Sequence, residues 1–345
     1  MSKMNVSRFV GANGDLIKPI QCEIEFVTPA FLGGADQSAE LRSPPFKAAL
    51  RWWWRVLFGA QYGADIFTQE SKLFGSTDGA SKVRIEINGA GLMPQKKDTF
   101  NGTRINVVSK GKPFKIDIID YLAYGLYDYD RQQHKNVYRR NHFSAGARFG
   151  INIYAPSDKK DEVAACLQAL FAFGGVGSRS RNGFGSLHLI KPSLISAYGV
   201  DLKQVKAQEY PTLNTASKLF ETRQRFSQWN EALSEIAVAY RSAKSALEPR
   251  HQFETRGLLA RPIEVRGENI PNEIRKGRSP KQFIMHIAKT ADGKFVGRIL
   301  SLPILFYDKD KRSRYDAMIQ KMHTELAKTL VDKTGDISTL LGVSK

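Results

Sequence analysis

SDKKDEVAACLQALFAFGGVGSRSRNGFGSLHLIK, residues 157–191, is the stretch on which the fold turns. Ser157 is placed to cap a helix, Asp161 and Glu162 suit its first turn, and Gly174 can end it. Val163, Leu167, Leu170 and Phe171 recur at helical spacing and supply an inner face. FGSLHLIK (184–191) then reads as a strand. Between the two lies GGVGSRSRNGFG (174–185), with five glycines and two arginines in twelve residues. Its direction, from helix into strand, is informative. Dinucleotide loops run from strand into helix, so that phosphate meets a helix N-terminus. The loop also lacks the GK[ST] of a P-loop, and Ser180 takes the last glycine position of GxGxxG. These features argue against a small-molecule nucleotide site. Two readings remain: a flexible turn, or a loop whose glycines admit a ligand to the backbone while Arg179 and Arg181 grip adjacent phosphates.

Working outward, IQCEIEFV (20–27), KVRIEING (82–89) and RFGINIYA (148–155) read as strands. A helix begins near Ser43–Pro44–Pro45, where proline suits the first turn, and runs to Gly59. The order β-α-β-β-α-β over residues 18–191 is that of a ferredoxin-like, RRM-type domain, with a long insertion at roughly 89–147. Farther on, residues 216–247 read as a helix with Phe226, Trp229, Leu233, Ile236 and Tyr240 at helical spacing. Residues 282–306 contain a hairpin turning at Asp292–Gly293. A last helix, about 312–331, carries Tyr315, Met318, Met322 and Leu326 on one face. The expectation is an α+β chain of two ferredoxin-like domains, residues 1–200 and 201–345, the first carrying the insertion.

With 42% hydrophobic and 25% charged residues the composition is that of a globular protein. Its 52 Lys+Arg against 34 Asp+Glu give a net charge of +18, which points to a polyanionic partner or to a generically basic surface. The opening MSKMNVSRFVGANGDLI lacks the apolar run of a signal peptide, and no apolar stretch approaches membrane-spanning length. Cys22 and Cys166 form no CxxC, and the six histidines show no metal-ligand spacing, so no zinc site or cofactor is expected. Scarce cysteine suits a reducing cytoplasm.

In FKAALRWWWRVLFG (46–59), Phe46, Leu50, Trp53 and Leu57 cluster on one side of the helix, while Lys47, Arg51 and Arg55 form a separate stripe. Burying the Trp53 ring is worth about 4–6 kcal/mol as an upper bound, against roughly 1–3 kcal/mol for a base stack, so Trp53 belongs to the core. Trp54 flanks the stripe and either packs or stacks on a base. The stripe itself is either a solvated face or, with no acid interleaved in sequence, a phosphate-binding one.

TPAFLGGADQSAELRSPPFKAALRWWWRVLFG (28–59), SKLFGS (71–76) and GGVGSRSRNGFGSL (174–187) together resemble the RAMP superfamily, and within it the first RAMP subunits of the Cmr complex, the type III-B CRISPR effector. The resemblance is specific over residues 24–187 and weaker at RKGRSPKQFIMHI (275–287). It implies two ferredoxin-like folds in an RNA-guided antiviral assembly. The partners it implies are guide RNA, target RNA and other Cmr subunits, without DNA. It further implies a place at the end of the assembly that holds the guide's 3′ part, with target cleavage left to other subunits. Carried onto this sequence, the RNA-binding positions are Gly33, Gly34, Arg42, Lys47, Arg51 and Arg55, with Trp54 beside them. Gly177, Ser178, Arg179, Arg181, Gly183 and Gly185 follow in the glycine loop, and Arg278, Ser279 and Lys281 beyond it. YDYDRQQHKNVYRRNHF (127–143) in the insertion mixes aromatics with Arg131, Lys135, Arg139 and Arg140, which suits single-stranded RNA or docking on a neighbour. Some relatives are metal-independent ribonucleases, an alternative for which His134 and His142 are the candidate groups. His188 and His286 fall in strands, and no carboxylate cluster suits a two-metal nuclease, so no catalytic residue is assigned.

Overall fold

In the computed structural model, two four-stranded antiparallel sheets organise the chain, each backed by helices. Residues 18–342 are described, apart from 35–37, 90, 97–99, 110–111, 139, 193–200, 250–251 and 264–268; the N-terminal seventeen residues and Arg139 lie outside this set.

The first half runs β1 (Ile20–Phe26), α1 (Ser43–Tyr62), α2 (Ile66–Phe74) and β2 (Arg84–Asn88). An inserted stretch follows: β3 (Arg104–Ser109), β4 (Lys112–Asp117), α3 (Ile118–Leu122), β5 (Tyr127–Asp130) and β6 (Lys135–Tyr138). β7 (Arg148–Tyr154), α4 (Lys160–Phe173) and β8 (Leu187–Lys191) complete it. Its sheet is ordered β2-β7-β1-β8, with every neighbouring pair antiparallel. Period-two alternation along β1 turns Cys22, Ile24 and Phe26 inward, where they meet Trp53, Leu57 and Leu167 from α1 and α4.

The second half runs β9 (Lys218–Glu221), α5 (Trp229–Ser245), α6 (Arg256–Leu259), α7 (Asn272–Lys276), β10 (Phe283–Lys289), β11 (Phe295–Ser301), α8 (Arg312–Thr329), β12 (Val331–Asp332) and α9 (Ile337–Leu340). Its sheet is ordered β10-β11-β9-β12, again antiparallel throughout. Both sheets thus place their strands in the order second, third, first, fourth along the chain. The hairpin turns where expected, with Gly293 at φ +77° and the Thr290 amide donating to the Lys294 carbonyl.

Two local expectations fail. Ser157 does not cap α4: residues 157–159 form a 3₁₀ turn closed on the Pro156 carbonyl, and the helix starts at Lys160 with no side-chain cap. The segment 216–247 is not one helix. Leu219 and Phe220 are both buried but in different cores, as adjacent residues of a strand must be when both faces are covered. The helix begins only at Trp229, where Gln228 and Glu231 form a reciprocal capping box.

The inserted stretch packs on both halves: Phe100 and Tyr138 meet Phe31 of the first half, and α3 turns to the second. Ile118, Ile119 and Leu122 share a core with Leu233, Ile236, Phe283 and Met285 of the second half. Asp117 caps α3 by accepting from the Ile119 amide at 2.8 Å, and holds the Gly102 amide at 2.7 Å. Among the described residues no helix is long and apolar enough to cross a membrane.

Buried Glu25 on β1 joins the two halves, accepting from Arg148 Nε at 3.0 Å and from Lys289 Nζ on β10 at 2.6 Å. Burial would raise its pKa, but the Lys289 and Arg148 contacts outweigh this and hold it below the usual glutamate range. Its contribution to stability is therefore complete above pH about 4.5 and is lost as pH falls through the depressed value. Glu25→Gln should cost about 1–3 kcal/mol in urea unfolding at pH 7 and narrow the gap to wild type at pH 3.

Candidate nucleic-acid interface

The glycine loop owes its glycines to its own protein. Gly177, Gly183 and Gly185 adopt φ of +91°, +88° and +61°. A Cβ at Gly185 would sit 2.0 Å from the Val176 carbonyl oxygen, and one at Gly177 2.6 Å from that of Phe31. The space beside these glycines is thus filled by the protein itself, by backbone at Gly177 and Gly185 and by the Leu233 side chain at Gly183, and is not left open for a ligand. Ser178 N–H donates to the Phe31 carbonyl and Gly185 N–H to that of Pro29. On the other side, the Met285 amide of β10 donates to the Arg181 carbonyl. The loop is a joint between the two halves.

Arg179 and Arg181 do not lie together as a pair for adjacent phosphates. Exposed Arg179, in the left-handed region at φ +59°, donates to the Tyr124 carbonyl of the insertion. The Arg181 guanidinium turns the other way and lies 4.9 Å from the centroid of the Trp52 ring.

The basic stripe of α1 is also altered by what packs on it. Glu70 on α2 is fully buried, and Arg55 Nη2 donates to both its oxygens at 2.7 and 2.9 Å, while Arg51 Nε lies 2.9 Å away. The acid missing from the stripe in sequence arrives in space, so these two arginines are committed to the fold. Lys47 has no acidic partner within 4 Å among the described residues. Trp54 requires correction as an RNA-stacking candidate: it is 1% exposed, stacks on Tyr62, and donates from Nε1 to Glu162 at 2.7 Å. The flank it occupies is covered by α2 and α4. Gly33 accepts from Arg42 Nη2 at 2.9 Å, and the Gly34 amide donates to the Ser38 carbonyl, closing that loop on itself.

The feature that gathers exposed aromatics and cations is a groove of about 1170 Å³ between the insertion, the tip of the glycine loop and the second half. Phe114, Tyr121, Tyr124 and Tyr129 are exposed along it, Tyr124 by 72%. Arg104, Lys115, Lys135, Lys244 and Arg179 line it too, and none has an acidic partner within 4 Å among the described residues. Asp117 and Asp120 are its carboxylates: the first is spent on the α3 cap, and the second accepts from Asn136 at 2.8 Å and Tyr138 at 2.7 Å. Ser279 and Lys281 reach the groove, whereas exposed Arg278 donates to the backbone of Lys276 and Gly277 outside it. Of the insertion residues singled out by composition, Tyr127, Tyr129, His134 and Lys135 line it. His142, by contrast, is 2% exposed and packed against Phe31 and Phe100, which removes it as a catalytic candidate.

A family model described as the RAMP superfamily matches residues 23–188, from β1 to the start of β8. The CRISPR system Cmr subunit Cmr1-2 of Pyrococcus furiosus is 30% identical over 174 residues, 48% of this chain and 91% of that protein. The chain belongs to the RAMP superfamily. Subunit Cmr1-1 of the same organism is also 30% identical, over 177 residues, and this chain spans about half of its length (47%). In fold alone, this RAMP protein is similar to a chain in a cryo-EM structure of the type III-B Cmr-beta bound to cognate target RNA. There it is 13% identical, with a TM-score of 0.51, covering 90% of this chain and all of that one.

Lys281 lines the groove of this RAMP protein, donating from Nζ to the Arg181 carbonyl at 2.9 Å and to Asn182. Burial first, then the charges of Arg181, Lys244 and Arg179, push its pKa down to about 7. No carboxylate balances this cluster among the described residues. Lys244, Arg104 and Lys115 carry no signal in the sequence, because they lie on separate elements that only the packing of the insertion brings together.

Because the glycines serve the joint, Gly185→Ala should destabilise the folded chain by at least about 1–3 kcal/mol in urea unfolding. Trp54→Ala should cost about 3–5 kcal/mol, as for any buried tryptophan. An unchanged midpoint for either would mean that these positions are not packed as described.

Proposed function

We propose that this chain is a non-catalytic RNA-binding subunit of a type III-B CRISPR effector complex, holding single-stranded guide or target RNA in the groove. The observation that carries the reading is the groove's lining: exposed tyrosines interleaved with cations that lack acidic partners. Such a surface offers π-faces for bases and charge for phosphates without reading a sequence. Homology to Cmr1 subunits supports the assembly, and the neighbouring subunits would be other Cmr proteins. On the same reading, the two sheets with their shared strand order are two ferredoxin-like halves. The guide's 3′ part is the segment expected here. His134 alone of the two histidine candidates reaches the groove, and no second proton-transfer group is hydrogen-bonded to it among the described residues, which favours binding over cleavage.

Lys115→Ala combined with Lys244→Ala should weaken RNA binding and flatten the log affinity–log salt slope by about 1.4, at roughly 0.7 for each phosphate no longer neutralised. Tyr124→Ala should lower affinity by roughly 5- to 150-fold, the range expected for removing one base stack. A double variant with wild-type affinity and slope, measured by fluorescence anisotropy, would remove the groove from the site. RNA fragments accumulating in EDTA and abolished by His134→Ala would replace binding by ribonuclease activity.

The position of Lys281 sets a pH dependence. A phosphate beside it favours the charged amine, so binding takes up a proton wherever the free amine is neutral. RNA affinity should rise as pH falls from 9 towards 7 and level off below about 6. Lys281→Met should flatten that rise.

A further inference from the structure

A second, smaller cavity of about 270 Å³ lies between α1 and the inner side of the glycine loop. We propose that it receives one nucleobase from the RNA strand lying in the groove, a reading that rests on the RNA-binding function above. Three features of the cavity argue for a base. The first is shape: Ala48, Ala49, Val176 and Ile284 give it aliphatic walls, and the Trp52 indole with the Arg181 guanidinium gives it a flat, polarised one. Guanidinium planes and aromatic rings are the surfaces on which unpaired bases stack. The second is size, just under the roughly 300 Å³ at which sites for drug-sized ligands begin, which suits a single ring system and not a stacked pair.

The third is charge. Arg181 has no carboxylate within 4 Å among the described residues, and burial followed by the nearby charge of Arg55 makes its cation less favourable than in water. An uncompensated cation in an apolar pocket favours an electron-rich ring that carries a phosphate. Connectivity allows the two cavities to be used together. Gly177, Ser180 and Arg181 face the small cavity, while Arg179 and Asn182 face the groove. The loop tip is thus a partition a few residues thick, over which a strand in the groove can turn one base.

The test uses Ala48, an exposed helix position on the cavity wall that belongs to none of the binding residues above. Ala48→Leu fills the cavity, and Ala48→Glu supplies the carboxylate that Arg181 lacks. Adenosine monophosphate at millimolar concentration serves as the probe, followed by indole fluorescence, alongside anisotropy with a short unstructured RNA. Wild type should be quenched by the mononucleotide; both variants should lose that quenching and bind RNA at least about five-fold more weakly, with an unaltered salt slope. The Lys115→Ala, Lys244→Ala protein should keep the mononucleotide response. If wild type responds to the mononucleotide but fails to bind RNA, the RNA function falls and the cavity stands as a nucleotide site. If wild type binds RNA but shows no mononucleotide quenching, or either variant with a wild-type melting temperature keeps both signals, the cavity proposal is overturned.

Discussion

The structure depends on a backbone constraint: the chain from Gly174 to Ser186 must pass between the two halves, and at its glycines there is no room for a side chain. The Gly183 carbonyl accepts from the Thr28 hydroxyl at 2.7 Å and from that of Ser186 at 3.0 Å. Ser186 Oγ in turn accepts from the Ile287 amide of β10. These buried hydroxyls satisfy main-chain groups of the glycine loop and of β10 at one point, beside β1. Because the glycines let the backbones come this close, the loop tip is held still, and its outward residues separate two cavities.

Two groups of cations play different parts in the structure. Arg51 and Arg55 are consumed by Glu70, and Lys289 by Glu25, so they hold helices and sheets together. Arg104, Lys115, Lys135, Arg179 and Lys244 are left facing a groove without acids to match them. The second group faces the groove without an acidic partner within 4 Å among the described residues, and so is available to a polyanion there. The rings divide likewise: Trp53, Trp54 and Tyr138 are core, Trp52 carries Arg181, and Tyr121, Tyr124, Tyr127 and Tyr129 face the groove.

Much of the fold is legible in the sequence, because strands with one covered face keep a period of two and α1 keeps its apolar side at 3.6. The boundaries of β1, β7 and α8 follow from these periods within a few residues, and helical spacing alone puts Trp53 in the core, where it lies. What escapes such reading depends on distant partners. β9 is only four residues long, and its two buried side chains face different cores, so its pattern merges with the helix that follows. Glu70 lies fifteen residues from Arg55 and cancels its charge only once α2 folds back. The glycine loop stands out for its composition, but its glycines answer to Phe31 and Val176, which no local pattern reveals. The groove is half visible, through the tyrosines and Lys135 of the insertion, and half hidden in the second half of the chain.

The partnership of the insertion with the second half also orders events during synthesis. Ile118, Ile119 and Leu122 leave the ribosome more than a hundred residues before Leu233, Ile236 and Phe283, against which they pack. Until then Phe31 and Phe184 can meet the insertion's rings, but the apolar face of α3 lacks the residues of the second half that cover it. Contacts of such long sequence separation form late and leave nascent chains exposed to aggregation. The groove is therefore the last part of the molecule to exist, completed only when β10 docks against the glycine loop.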